Sequence, residues 1–174
     1  MKPRYRLVTI ICILSLTILA CSENRLPDGC PPNCEALNFT NNDLTNVDVS
    51  GQDFSNADLG IAIWFWVDAT NANFSNANLS FGDFQTCTFR GANFTNAKLA
   101  GVNFIGVDLR GANFTNADFG TGKFQGADLR GANFTGTNLG GVKLTAAQYD
   151  DTTIWPDGYK IPKFFGPIKT DSAD

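Results

Sequence analysis

Three arginines recur at a spacing of 20, Arg90, Arg110 and Arg130, beside a second column made of Asp48, Asp68, Asp108 and Asp128. Guanidinium forks suit an anionic glycan or a lipid phosphate, so the first chemistry on offer is anion binding. The neighbouring carboxylates offer another use. Like charges stacked about 4.8 Å apart repel, and an adjacent Asp column would turn them into a ladder of ion pairs. A third array sets Asn73, Asn93, Asn113 and Asn133 beside Ser75, Thr95, Thr115 and Thr135. That array could bind glycan or ice, or close on itself as an amide ladder. None of this is an acid–base constellation. The chain has no His and no Gly-rich loop to cradle a phosphate, and no cluster with metal-ligand spacing. The expectation is a protein without catalysis, cofactor or metal.

The spacing of 20 contains a finer period. The hexapeptide Arg-Gly-Ala-Asn-Phe-Thr occurs at residues 90–95, 110–115 and 130–135, and from Phe39 to Leu144 every fifth residue is a centre, nearly always Phe or Leu. Two residues before each centre sits a small or apolar residue, most often Ala or Val. A period of five fits neither a helix nor an uninterrupted strand. It fits short extended pieces joined by turns, in which positions two apart share the inward face. The residues between and after them turn outward and round a corner, where Asn and Gly tolerate unusual backbone angles. Four such fives make one coil. Phe54, Phe74, Phe94, Phe114 and Phe134 then stack in one column, and Leu44, Trp64, Phe84, Phe104, Phe124 and Leu144 in another. No coil could fold alone, because each buries its Phe and Leu only against its neighbours.

Segments such as Ala57-Asp58-Leu59, Ala72-Asn73-Phe74, Ala127-Asp128-Leu129 and Ala132-Asn133-Phe134 resemble the pentapeptide-repeat proteins. The resemblance covers residues 37–146 and implies an all-β fold, a right-handed quadrilateral β-helix of about 5.5 coils and roughly 26 Å in length. It implies little about activity, since the fold is a scaffold. The chain departs from the pattern at Asn42, Gln52 and Trp64 on inward beats, and along residues 61–67 on outward ones.

The N-terminus carries an address. Lys2, Arg4 and Arg6 precede an apolar stretch, residues 7–20, too short to span a bilayer comfortably. Ile18, Leu19, Ala20 and Cys21 in a row look like a bacterial lipobox, which implies cleavage before Cys21 and lipidation of its thiol. Leu19 is a less usual occupant, so ordinary signal-peptide cleavage stays open. Ser22 after the Cys would by analogy favour the outer membrane in an organism that has one. Cys30 and Cys34 flank a short Pro-Pro-Asn loop and are candidates for a disulfide in an oxidising compartment. Cys87 falls on an inward beat and reads as a buried filler.

Without Lys2, Arg4 and Arg6, 10 basic residues face 17 acidic ones, which argues against nonspecific nucleic-acid binding. The charge is uneven: residues 37–86 carry only Asp, and residues 87–146 carry most of the Lys and Arg. The resulting organisation is a signal peptide over 1–20, a tether and N-terminal cover over 21–36, the β-helix over 37–146, and a C-terminal cap and tail over 147–174. The cap resembles the segment that often follows such repeats, with Tyr149, Ile154 and Trp155 as packing anchors. Phe164 and Phe165 lie in the tail beyond it.

Residues 61–67 keep the five-residue register but replace its polar outward residues. Ala62, Trp64 and Val67 take inward beats, which leaves Ile61, Ile63, Phe65 and Trp66 outward, with Phe81 one coil further along. Such a cluster marks an interface, with a protein partner or a second copy of the chain, unless an oversized Trp64 distorts the coil or the Phe164–Phe165 tail covers it. Two functional classes remain. One is an exported, lipid-anchored scaffold in the cell envelope that binds a protein or a surface polymer. The other follows relatives that imitate DNA and bind type II topoisomerases. The signal and the basic half, with Arg90, Lys98, Arg110, Lys123, Arg130 and Lys143, oppose the second.

Overall fold

The computed structural model describes residues 44–161 and 168–169. Their backbone winds in a four-sided solenoid with a register of 20. β1 (Leu44–Thr45) pairs in parallel with β2 (Trp64–Phe65), and the same step repeats through isolated parallel bridges such as Asp53↔Asn73, Asn73↔Asn93, Asn93↔Asn113 and Asn113↔Asn133. At each step the amide of a centre donates to the carbonyl one coil on, as in Phe54 N–H to Asn73 O at 2.7 Å. The sides are too short to hold longer strands, because a corner interrupts them every five residues.

Most corners are turns closed by one hydrogen bond, Ala57 N–H to Phe54 O at 3.1 Å being typical. At most corners the residue two after the centre is left-handed: Asn56, Asn71, Asn76, Asn96 and Asn116 have φ between 58 and 60°, and Gly91 and Gly111 have 63 and 66°. Asn and Gly recur there because they accept this region at little cost. The outward Asp or Asn before each centre has a second task. Its Oδ1 accepts the amide two residues later, as Asp53 does from Ser55 at 2.9 Å and Asn93 from Thr95 at 3.1 Å. This satisfies a backbone N–H that the corner would otherwise leave unpaired.

The core is one continuous cluster of inward centres and their small partners. Phe54, Phe74, Phe94, Phe114 and Phe134 stack nearly parallel, with centroids 4.9 to 5.1 Å apart. Trp64 is fully buried and meets Phe54 and Phe84 edge-on at 5.9 and 5.4 Å, without breaking the Leu44↔Trp64 pairing. Gln52 is only half-buried on its inward beat. Thr137, on another, is buried and donates its hydroxyl to Phe134 O at 2.8 Å.

At the C-terminal end the bridge Asn133↔Ile154 spans one residue more than the register. The extra residue is accommodated in a turn where Asp150 Oδ1 accepts from the Thr152 amide and hydroxyl at 2.9 and 2.6 Å. The phase therefore shifts by one, and Trp155, not Ile154, lies over the Phe column. Ile154 is 51% exposed and is no packing anchor. Tyr149 is half-buried and meets Trp155 edge-on at 5.6 Å. Beyond the turn, β3 (Gln148–Tyr149) pairs in parallel with β4 (Ile168–Lys169), so the step of 20 continues past the last repeat. Cys21, Cys30, Cys34, Phe39, Asn42, Phe164 and Phe165 lie outside the described residues.

Candidate docking face and arginine groove

One side of the solenoid carries the centres Leu44, Trp64, Phe84, Phe104, Phe124 and Leu144. Along it, Ala62, Trp64 and Val67 are buried, while Ile61, Ile63, Trp66 and Phe81 are 47, 40, 63 and 68% exposed. Phe65 is half-buried. Three of these residues occupy corners. Ile61, Trp66 and Phe81 have φ of 54, 53 and 59°, in slots that most other coils give to Asn or Gly. A left-handed residue with a Cβ costs about 1–2 kcal/mol, most for a β-branched one such as Ile61. These side chains therefore strain the backbone without filling the core. The Phe81 ring instead lies over the next coil, where a Cβ at Gly101 would sit 2.7 Å from it.

The uneven charge read from the sequence falls partly on this same side, a link that sequence reasoning did not draw. Ile63, Asp83, Asn103, Lys123 and Lys143 form a single bridged column, so the carboxylate stands nearer one end and the two ammonium groups nearer the other. Its corners also change character along the rod. The bulky Ile61, Trp66 and Phe81 give way to the exposed Gly106, Gly126, Gly141 and Ala146.

The neighbouring side carries the arginines. Arg130 holds Asp128 through Nη2 at 2.8 Å and Nε at 3.0 Å, and Arg110 holds Asp108 through Nη2 at 2.6 Å and Nε at 2.9 Å. Arg110 Nε also lies 3.5 Å from Asp128, which links the two coils. The ladder stops at Arg90. Thr88 stands where its carboxylate partner would be, and among the described residues Arg90 forms no ion pair. Arg90, Arg110 and Arg130, with Asp150 and Thr152, line an open cavity of about 340 Å³. Burial would raise the pKa of Asp108, but hydrogen bonds from Arg110 and the charges of Arg110 and Arg90 outweigh it and lower the value. Asp150 is also lowered, first by the Thr152 hydroxyl, then by the amides of Thr152 and Gly131.

The amide array is largely self-satisfied. Asn93 donates to Asn73 at 3.0 Å, and Asn113 and Asn133 donate to Thr95 and Thr115 at 3.1 and 3.2 Å. Cys87 is buried, which pushes its thiol up to about 12. Among the described residues no His, Cys, Asp or Glu cluster could hold a metal, and no helix is long and apolar enough to cross a membrane.

The geometry has known counterparts. In fold the chain is similar to Rfr23, a pentapeptide repeat protein of the cyanobacterium Cyanothece 51142, at TM-score 0.52 and 23% identity over 71% of this chain and 91% of that one. A pentapeptide repeat protein of Nostoc PCC 7120 is 30% identical over 68% of this chain and 84% of its own, at TM-score 0.30. QnrB1, a plasmid-mediated fluoroquinolone resistance protein, is 19% identical over 70% of this chain and 73% of its own, at TM-score 0.47. Among curated proteins none matches by sequence. The profile of the pentapeptide repeat region matches residues 37–114 and 82–154, and the chain belongs to the pentapeptide-repeat family.

Proposed function

We propose that the chain is an exported, lipid-anchored scaffold that acts by binding a protein rather than by catalysis. Its β-helix, right-handed and of about 5.5 coils over residues 37–146, holds out the side bearing Ile61, Ile63, Phe65, Trp66 and Phe81 as a docking face. The observation that carries the reading is the placement of Ile61, Trp66 and Phe81 in exposed, left-handed corners. Residues that strain a fold and add nothing to its core are retained for what they touch outside it. Export rests on Lys2, Arg4 and Arg6, the apolar residues 7–20, and Cys21 as the lipidated residue.

Two measurements test this. Labelling cells with a fatty acid should mark the wild type, and Cys21→Ser should abolish the label and leave an unprocessed precursor. A photo-crosslinking amino acid at position 66 should capture a protein in the envelope fraction. An unlabelled, cytosolic wild type removes the envelope part of the reading and reopens a cytosolic partner such as a topoisomerase. Absence of any crosslink at position 66 removes the docking face.

A further inference from the structure

The docking face proposed above is bulky and acidic toward one end, small and basic toward the other. We propose that its occupant is a second copy of this chain, packed antiparallel about a two-fold axis that crosses the side at Asn103. This rests on the docking-face reading and adds the partner and its register.

The register follows from the bridged column. A two-fold axis lying in the contact plane and perpendicular to the rod brings each coil against the coil equally far beyond Asn103. Asp83 then faces Lys123 of the second copy, Ile63 faces the aliphatic stem of Lys143, and Asn103 faces itself. The corners fit in the same register. Ile61 meets Gly141, Trp66 meets Ala146, and Phe81 meets Thr121, all exposed in the isolated chain. Every bulky corner residue thus falls opposite a small one. An isologous contact requires this self-complementarity.

Other registers lose it. Parallel rods would set Asp83 on Asp83, Lys123 on Lys123 and Lys143 on Lys143. An antiparallel pair centred on the apolar cluster itself would press Phe81 onto Ile61 and cover Ile63 with Asp83. Of these three arrangements, the Asn103 register opposes unlike charges and unlike sizes at once and uses Ile61, Trp66 and Phe81 together. It spans five coils, about 24 Å, a footprint at the small end for a stable interface, so the dimer forms reversibly.

The test uses the full chain in cells, with a short bismaleimide. Asn103→Cys should give a crosslinked dimer well above the wild-type background. Lys143→Cys alone should not, since its mate lies four coil steps, about 19 Å, away. Asp83→Lys or Lys123→Asp should each cut the Asn103→Cys crosslink several-fold, and the two together should restore it. Both swaps put residue types on the outward beat that the repeat already carries there, as at Lys98 and Asp118. Failure of Asn103→Cys to crosslink, equal crosslinking from Lys143→Cys, or no rescue by the double swap overturns the dimer. If position 66 captures a different protein while position 103 never captures itself, the docking face survives and the second copy does not.

Discussion

Trp155 lies flat on Phe134, ring centroids 5.4 Å apart and planes 7° from parallel, and so adds a sixth ring to a column of five phenylalanines. Tyr159 stacks on its other face at 5.5 Å. The end of the solenoid is therefore closed by aromatic faces after the repeat has stopped, which shields an edge that would otherwise template pairing with other chains. Because Trp155 is half-buried, Trp155→Ala should cost about 2 kcal/mol, below the roughly 3–5 kcal/mol of a fully buried aromatic. Denaturant unfolding gives the stability change, and light scattering should show the variant associating into larger particles at high concentration.

Within the column, Phe94 sits between Phe74 and Phe114 at 5.1 and 4.9 Å. Phe94→Ala leaves a cavity that rigid neighbouring coils cannot close and should cost roughly 3–5 kcal/mol. Thr95→Ala loses a hydroxyl that bonds Asn93 at 2.6 Å and accepts from Asn113 at 3.1 Å, and should cost about 1 kcal/mol. Equal costs in urea unfolding would contradict the inward and outward assignment.

The inward and outward assignment was legible because it follows from residue type at a fixed period, and Phe54 through Phe134 needed nothing more. The bond from Asp53 to the Ser55 amide was not, because a polar residue on an outward beat reads the same whether it faces water or satisfies a corner. Ile154 misled for a different reason. It falls on the inward beat if the period is extended from Phe134, and a single inserted residue near Asp150 moves that beat to Trp155. Of the sites, the exposure of Ile61 and Phe81 could be read from their beats. The unpaired state of Arg90 turns on Thr88, one residue in a column otherwise rich in Asp.

Gly82 stands on an inward beat where the repeat prefers Ala, yet Ala should be worse there. A Cβ at Gly82 would lie 2.6 Å from Phe84 Cζ, because that ring leans into the space the glycine leaves free beside the buried Trp64. Gly82→Ala should destabilise by about 1–3 kcal/mol through overpacking. Combining it with Trp64→Phe gives Phe84 room to withdraw and should recover part of the loss. A neutral or stabilising Gly82→Ala in thermal unfolding would contradict this packing.

Acid should weaken the cap end. The folded-state pKa of Asp150 is lowered from 3.8, so its contribution is present above that value and fades as pH falls through the lower folded one. Asp108 acts with the same sign. Stability in urea should hold from pH 7 to about 5 and drop below about 4. Thr152→Val removes the strongest support of the Asp150 carboxylate and should bring its pKa back toward 3.8, shrinking the acid-limb loss. A carboxyl titration by NMR in which Thr152→Val leaves Asp150 unmoved would overturn the assignment.

Substitution at the strained corners should have the opposite sign from most. Ile61 and Trp66 hold φ of 54 and 53°, the conformation that Asn occupies at 56, 71, 76, 96 and 116. Asn accepts that region readily, whereas Ile is crowded by its β-branch. Ile61→Asn removes an exposed apolar side chain and relieves the cost of a β-branched residue at positive φ together, and should raise stability by about 1 kcal/mol. Trp66→Asn should do the same to a smaller extent, since Trp lacks the branch. Measured at low protein concentration, where association is absent, both gains report on the monomer alone. At high concentration the gain should shrink, because the variants give up the contact that Ile61 and Trp66 make with the partner. A loss of stability at low concentration would mean that these side chains support their own coil, and would remove the strain argument from which the docking face was inferred.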